Sequence, residues 1–164
     1  MKIKKLTSAD SFGFLNLLLT LDNETKFMML EPNERNVSSE DMTLRLSKID
    51  ETNSVLFGAF DDGNLVGYVN VLRGDANRIR HSAYIAMGIL LSYTGQGIGK
   101  LLLNKVDEWA RKYGVTRLEL TVMAHNEKAI KLYEKMGFNK EGIKKNSILI
   151  DGNYIDEYYM GKIL

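Results

Sequence analysis

The chain has no cysteine, a single proline (Pro32) and two histidines among its 164 residues. Without cysteine there can be no disulfide, no cysteine-bound zinc and no thiol nucleophile, which fits a reducing compartment such as the cytoplasm. No metal site is expected. No charge of one sign dominates either: 22 Lys+Arg against 21 Asp+Glu leave a formal net of +1. The lysines are scattered among acids, so no nucleic-acid footprint is visible and a small ligand is the expected partner. Long hydrophobic runs are missing as well. The apolar stretch Phe12 to Leu21 is interrupted by Asn16 and falls far short of the ~20 residues that span a bilayer. Lys2, Lys4 and Lys5 precede it, but no small-residue cleavage site follows, so neither a secretory leader nor a membrane association is expected.

What is present is a 45% hydrophobic composition with no Pro/Gly/Ser-rich linker, which predicts one domain over residues 1–164. Residues 2–7 alternate as a first strand. Ser8 or Asp10 then caps a helix carrying Phe12, Phe14, Leu15, Leu18, Leu19 and Leu21. Asp22 to Asn36 reads as a polar loop with an apolar middle, Phe27 to Leu30. Ser38 or Ser39 caps a second helix, with Met42, Leu44, Leu46 and Ile49 as candidate core contacts. Ser54 to Phe60 and Leu65 to Leu72 are strands joined by the hairpin signal Asp61-Asp62-Gly63-Asn64, and His81 to Leu91 is a third strand. From Gly97 the period changes to that of a helix, with Ile98, Leu101, Leu102, Val106, Trp109, Ala110 and Tyr113, stopped by Gly114. Arg117 to Met123 is a strand and Asn126 to Met136 a short helix. Lys144 to Ile150 and Tyr154 to Met160 flank a second hairpin signal, Asp151-Gly152-Asn153. The expected order is β α α β β β α β α β β.

Between the third strand and the third helix lies Thr94-Gly95-Gln96-Gly97-Ile98-Gly99-Lys100. Glycine within a helix costs about 1 kcal/mol relative to alanine, so glycines at a helix start imply close approach of backbone to something. The first amides of a helix lack intrahelical partners and carry the positive end of its dipole, which suits a phosphate.

This turn, together with Asn126-Glu127-Lys128-Ala129-Ile130-Lys131-Leu132-Tyr133-Glu134-Lys135-Met136-Gly137-Phe138, resembles the GCN5-related N-acetyltransferases. That family carries Arg/Gln-x-x-Gly-x-Gly/Ala after a central strand and Asn-x-x-Ala-x-x-x-Tyr-x-x-x-Gly-Phe one strand later. Thr94 departs from the usual Arg or Gln, which implies the loss of a side-chain contact to the cofactor. The resemblance implies an α+β fold with a mixed, mostly antiparallel central sheet of about seven strands flanked by about four helices. It also implies direct transfer of the acetyl group of acetyl-CoA to a primary amine, the acceptor being a polyamine, an amino acid or a protein N-terminus. By the same resemblance, the backbone from Gly95 to Lys100 (Gln96, Gly97, Ile98 and Gly99 included) holds the pyrophosphate beside Thr94. Met87, Gly88 and Ile89 bind the pantetheine arm, and Asn126 contacts the cofactor.

Tyr133 is the expected acid for the departing thiolate, because a phenol stays protonated at neutral pH and sulfur leaves with a conjugate acid near ~8.5. As an isolated tyrosine on an apolar stripe it would read as a core aromatic. Glu119 is the leading base, lying in the apolar strand Leu118 to Val122 on the opposite face from Leu118 and Leu120. A solvated strand face or a structural ion pair is its alternative reading. His81, His125, and Tyr84 with a water relay are further options. For the acceptor, Phe27, Met28 and Met29 are expected walls and Tyr84 a contact; Glu31, with Glu24 and Glu34, is either an attractor for a cationic amine or solubility charge in a polar loop. Two alternatives from other classes remain: a nicotinamide enzyme, with Glu119 as the ribose-binding acid, and a non-catalytic acyl-CoA sensor; for assembly, a homodimer through the last strands is the expectation.

Overall fold

Asp62 and Gly63 hold φ of 45° and 84°, and Asp151 and Gly152 hold 49° and 79°. Two consecutive left-handed residues make the mirror-type turn whose twist matches that of paired strands, so both hairpins expected from Asp-Gly form. The computed structural model describes residues 1–164, Asp50 by its backbone alone. Its elements are β1 (Lys2–Lys5), α1 (Ser11–Glu24), α2 (Ser39–Ile49), β2 (Val55–Asp61), β3 (Asn64–Arg73), β4 (Ser82–Ile89), α3 (Ile98–Lys112), β5 (Arg117–Met123), α4 (Glu127–Lys135), β6 (Asn139–Ile150) and β7 (Asn153–Ile163). The order matches the sequence reading.

All seven strands form one sheet in the order β1-β2-β3-β4-β5-β7-β6. Every neighbouring pair is antiparallel except β4 with β5. Each face carries its own core, because alternate residues of a strand point to opposite sides. Val69, Val71, Ile85, Leu118 and Leu120 pack with Ile98, Leu102, Val106 and Ala110 of α3. On the other face Leu56 and Tyr68 pack with Leu17, Leu18, Leu21, Met42 and Leu46 of α1 and α2. Ser38 is the cap of α2: its Oγ accepts the Asp41 amide at 3.0 Å while Asp41 Oδ2 accepts the Ser38 amide at 3.4 Å and the Ser38 hydroxyl at 2.9 Å, a serine-acid capping box.

The sequence reading needs three corrections. Leu44, expected in the core, is 53% exposed, because a helix lying on a flat sheet buries only one stripe and this residue falls outside it. The first helix continues to Glu24, so Asp22 to Glu24 belong to α1 and not to the loop. The sixth strand begins at Asn139, not Lys144; its polar first half pairs with β7 through two register irregularities that erase any alternation.

Candidate functional site

β4 and β5 pair through Ser82↔Arg117, Ala83↔Leu118 and Tyr84↔Glu119 only. Beyond Tyr84 they diverge, while β4 stays paired with β3 as far as Gly67↔Ile89 and β5 with β7 as far as Met123↔Glu157. Two strand edges therefore face each other across a V-shaped opening in the middle of the sheet. At its vertex the Tyr84 phenol crosses the gap: its oxygen accepts the Thr121 amide at 3.3 Å and lies 2.8 Å from Thr121 Oγ1.

The glycine bend stands at the wide end of this opening. The 3-10 turn Leu91–Tyr93 follows β4, and the side chains nearest the bend are turned back onto it: Thr94 Oγ1 donates to the Leu91 carbonyl at 2.9 Å and Gln96 Nε2 to the Ser92 carbonyl at 3.0 Å. Gly95 and Gly97 have φ of 77° and 82°, and an added Cβ at either would meet no atom within 4 Å. The first bond of α3 runs from the Leu101 amide to the Gly97 carbonyl at 3.2 Å. The amides of Gly95 to Lys100 have no acceptor among the described residues. This is an open nest of backbone donors at the positive end of a long helix, suited to an anion held by main chain rather than side chains. Gly99 is a glycine for a different reason. A Cβ there would lie 2.5 Å from Leu132 Cδ2, 3.5 Å from Ile89 Cδ1 and 3.6 Å from Met87 Cε. Its absence lets the end of β4, the start of α3 and α4 meet.

That packing sets Tyr133 beside the bend, one residue after Leu132 on α4. Tyr133 is 7% exposed and rests edge-on against Phe138, ring centroids 5.7 Å apart. Its hydroxyl has no hydrogen-bond partner among the described residues, and its oxygen is not sealed from solvent. Burial, with smaller contributions from Tyr84 and Tyr68, pushes the phenol well above its ordinary value. Tyr133, Tyr84 and Tyr68 thus come within electrostatic reach of one another. Asn126 caps α4, accepting the Ala129 amide through Oδ1 at 3.3 Å. Met87 and Ile89 line the α3 face of the opening, and Gly88 packs under Leu21 and Tyr68, where a Cβ would come within 2.7 and 2.8 Å.

Glu119 lies at the vertex and is held in a network. Arg117 Nε donates to it at 2.9 Å, and the same guanidinium grips Glu141 through two nitrogens. Bonds from Glu141 first, then Glu119, push Arg117 above its ordinary value. One oxygen of Glu119, Oε2, therefore faces Arg117, the ion-pair arrangement left open in the sequence, while the side chain stays 41% exposed. His81 precedes β4 at the end of that strand remote from the bend, where its carbonyl accepts the Thr116 and Arg117 amides. His125 follows β5 and stacks on Phe27, centroids 5.1 Å apart.

The loop between α1 and α2 is fastened over this region at several points that sequence reasoning did not find. Glu24 accepts the Leu91 amide at 2.8 Å, at the base of the 3-10 turn that leads into the bend. Lys26 pairs with Asp151 at the tip of the β6–β7 hairpin, and Arg35 pairs with buried Asp22. Met28 approaches Gly88 and Phe27 approaches His125, while Met29 points outward, 73% exposed. Glu34 accepts the Glu31 amide at 2.8 Å, so Glu34 is a local cap of the loop and Glu24, at the end of α1, a long-range tie. Partners separated by 67 and 125 residues leave no local pattern to read. Among the described residues no group of three or more His, Cys, Asp or Glu is placed to hold a metal, and no helix is long and apolar enough to cross a membrane.

Residues 19–138 match the model of the Acetyltransferase (GNAT) family, and the chain belongs to that family. An acetyltransferase of this family from Streptococcus pneumoniae superposes with a TM-score of 0.95 at 33% identity, covering 99% of both chains. A ribosomal-protein-alanine N-acetyltransferase from Brucella melitensis gives a TM-score of 0.88 at 26% identity over 100% of both. The L-amino acid N-acetyltransferase AaaT of Escherichia coli K12 is 34% identical over 106 residues, which cover 62% of this chain and 64% of that one. The match thus spans less than two thirds of that curated relative's length.

Proposed function

We propose that this chain transfers the acetyl group of acetyl-CoA to the α-amine of an L-amino acid or of a peptide N-terminus. The observation that carries the reading is the run of unpartnered amides from Gly95 to Lys100 at the wide end of the β4–β5 opening. These amides would hold the diphosphate, and the free edge of β4 would receive the pantetheine arm. From Ile89 back to Tyr84 that edge runs about 17 Å at ~3.3 Å per residue, comparable to the extended arm. Acetyl-CoA supplies the activated acyl group. As the amine nitrogen bonds to the carbonyl carbon, the carbon–sulfur bond breaks. Tyr133 gives its proton to the departing sulfur, and the surplus amine proton passes to water. Asn126 orients the start of α4 and so the position of Tyr133.

The choice of an α-amine rests on the base. At pH 7 a lysine-like or polyamine amine is neutral about once in 2,500, a deficit of roughly 4.6 kcal/mol, whereas an α-amine near ~7.8 gives up only about 1 kcal/mol. An acceptor of the second kind needs little help, which suits a site where Glu119 is already engaged by Arg117 through Oε2. Two proteins similar to this chain are named for α-amine acceptors, one for L-amino acids and one for a ribosomal-protein alanine. Phe27, Met28, Glu31 and Tyr84 would surround the acceptor. The test is a screen of L-amino acids, short peptides and polyamines with acetyl-CoA, followed by thiol release. Turnover confined to polyamines would overturn the acceptor assignment. Acetyl-CoA binding with no turnover on any amine would favour a non-catalytic sensor.

Two expected outcomes follow from this geometry. Gly97→Ala forces a side chain into the left-handed region, costing about 1–2 kcal/mol, or makes the bend relax and turn its amides away. Acetyl-CoA affinity by calorimetry is expected to fall roughly tenfold, since about 1.4 kcal/mol is a factor of ten. An unchanged affinity would detach the bend from binding. The pH profile is the second. Burial, with Tyr84 and Tyr68, disfavours the phenolate of Tyr133, so the residue keeps its proton past the ordinary phenol value of ~10. Hence kcat/KM is expected to rise as the acceptor amine deprotonates and then stay level to about pH 10. A falling limb below pH 9 that Tyr133→Phe abolishes would contradict the assignment.

A further inference from the structure

Building on that reading, we infer that the Tyr84–Thr121 bridge sets the length of the acyl group this chain accepts, restricting it to acetyl and propionyl. The cofactor arm can run only one way along the free edge of β4, from the bend beyond Ile89 toward the vertex where β4 and β5 rejoin at Tyr84↔Glu119. The acyl group is the leading end of that arm and meets whatever stands at the vertex. Two hydrogen bonds fix what stands there. Thr121 is two residues past Glu119, the last residue of β5 paired with β4, so its amide has left that ladder although β5 stays paired with β7. The Tyr84 phenol takes that amide at 3.3 Å and the Thr121 hydroxyl at 2.8 Å. A ring tied at its far end to the opposite strand cannot swing aside as a free tyrosine would, and the backbone on both sides is held by β3 and β7. The adjoining Arg117 network stiffens the same corner through Glu119.

The bond changes of transfer are the same for any acyl group, so selection here is steric. A hydrophobic pocket discriminates about 10- to 200-fold per methylene, and with Tyr84 38% exposed the lower part of that range is expected here. The test compares acetyl-, propionyl-, butyryl- and hexanoyl-CoA, with the amine identified in the screen, for the wild type, Tyr84→Ala, Tyr84→Phe and Thr121→Ala. In the wild type, kcat/KM is expected to drop at least about tenfold from propionyl to butyryl. In Tyr84→Ala the butyryl-to-acetyl ratio is expected to rise by about ten or more. Tyr84→Phe and Thr121→Ala keep the ring but cut the tie, so a smaller rise is expected; they carry the test if Tyr84→Ala fails to fold. Calorimetry without acceptor is expected to give the same ordering in Kd, a readout that general loosening of the fold would not move selectively.

A wild type that uses butyryl-CoA as well as acetyl-CoA would overturn the inference while leaving the transferase reading intact. An unchanged ratio in all three variants would do the same. Failure of the wild type to bind any acyl-CoA would instead overturn the transferase reading, and this one with it.

Discussion

Tyr133→Phe is expected to lower kcat by about 100-fold or more, the range in which a positioned general acid contributes, while leaving acetyl-CoA affinity within about twofold. Phenylalanine fills the same space against Phe138, so stability should hold. The lost hydroxyl has no protein partner to orphan. What disappears is the proton offered to the leaving sulfur, in a site where burial keeps that proton on the phenol. Single-turnover thiol release separates the chemical step from product departure, and calorimetry reports affinity. A fall in affinity matching the fall in kcat would make Tyr133 a binding residue; unchanged kcat would return it to the core.

Asp22→Ala is the change expected to cost most stability. Asp22 is 2% exposed and is gripped by Arg35 through Nε–Oδ2 at 2.6 Å and Nη2–Oδ1 at 2.9 Å. Removing one partner of a buried, bidentate pair strands the other charge, a loss of about 3–5 kcal/mol. The pair also acts on Tyr68, which packs against Gly88: burial pushes Tyr68 up to about 12, with Arg35 pulling it back and Asp22 adding to the rise. Urea titration measures the loss. Replacing both partners, with Asp22→Ala and Arg35→Met, is expected to recover most of it, because apolar side chains of similar size often replace such pairs at little net cost. A loss under about 1 kcal/mol for Asp22→Ala would place the pair among solvent-screened ones. Since Arg35 ties down the loop carrying Phe27 and Met28, the single variant is also expected to raise KM for the acceptor more than for acetyl-CoA.

Local chemistry explains how much of this was readable in advance. Asp-Gly turns, serine caps and the changing apolar period fix their neighbours within a few residues, so the element order followed from the sequence. The glycine bend was legible because helix-starting glycines are costly unless backbone must be exposed, and Gly95 and Gly97 do hold φ values of 77° and 82°. Gly99 looked like part of the same cradle, yet its Cβ is excluded by Leu132, a helix-to-helix contact invisible in a local pattern. Glu119 was readable as a carboxylate on the polar face of a strand. That Arg117, its neighbour on the same face, would turn toward it and also grip Glu141 depended on β6, whose charged first half concealed its own start. The ties of Glu24 to Leu91 and Lys26 to Asp151 join distant segments. Only the folded sheet brings them together, and they fasten the α1–α2 loop beside the glycine bend and the β6–β7 hairpin.

The most direct measurement follows the backbone amide resonances of 15N-labelled protein while acetyl-CoA is added. The amides of Gly95 to Lys100 are expected to shift most and to become protected from hydrogen exchange, with smaller changes along Met87 to Ile89. Saturable binding that leaves the amides from 95 to 100 unmoved, or no binding at all, would contradict the account at its root.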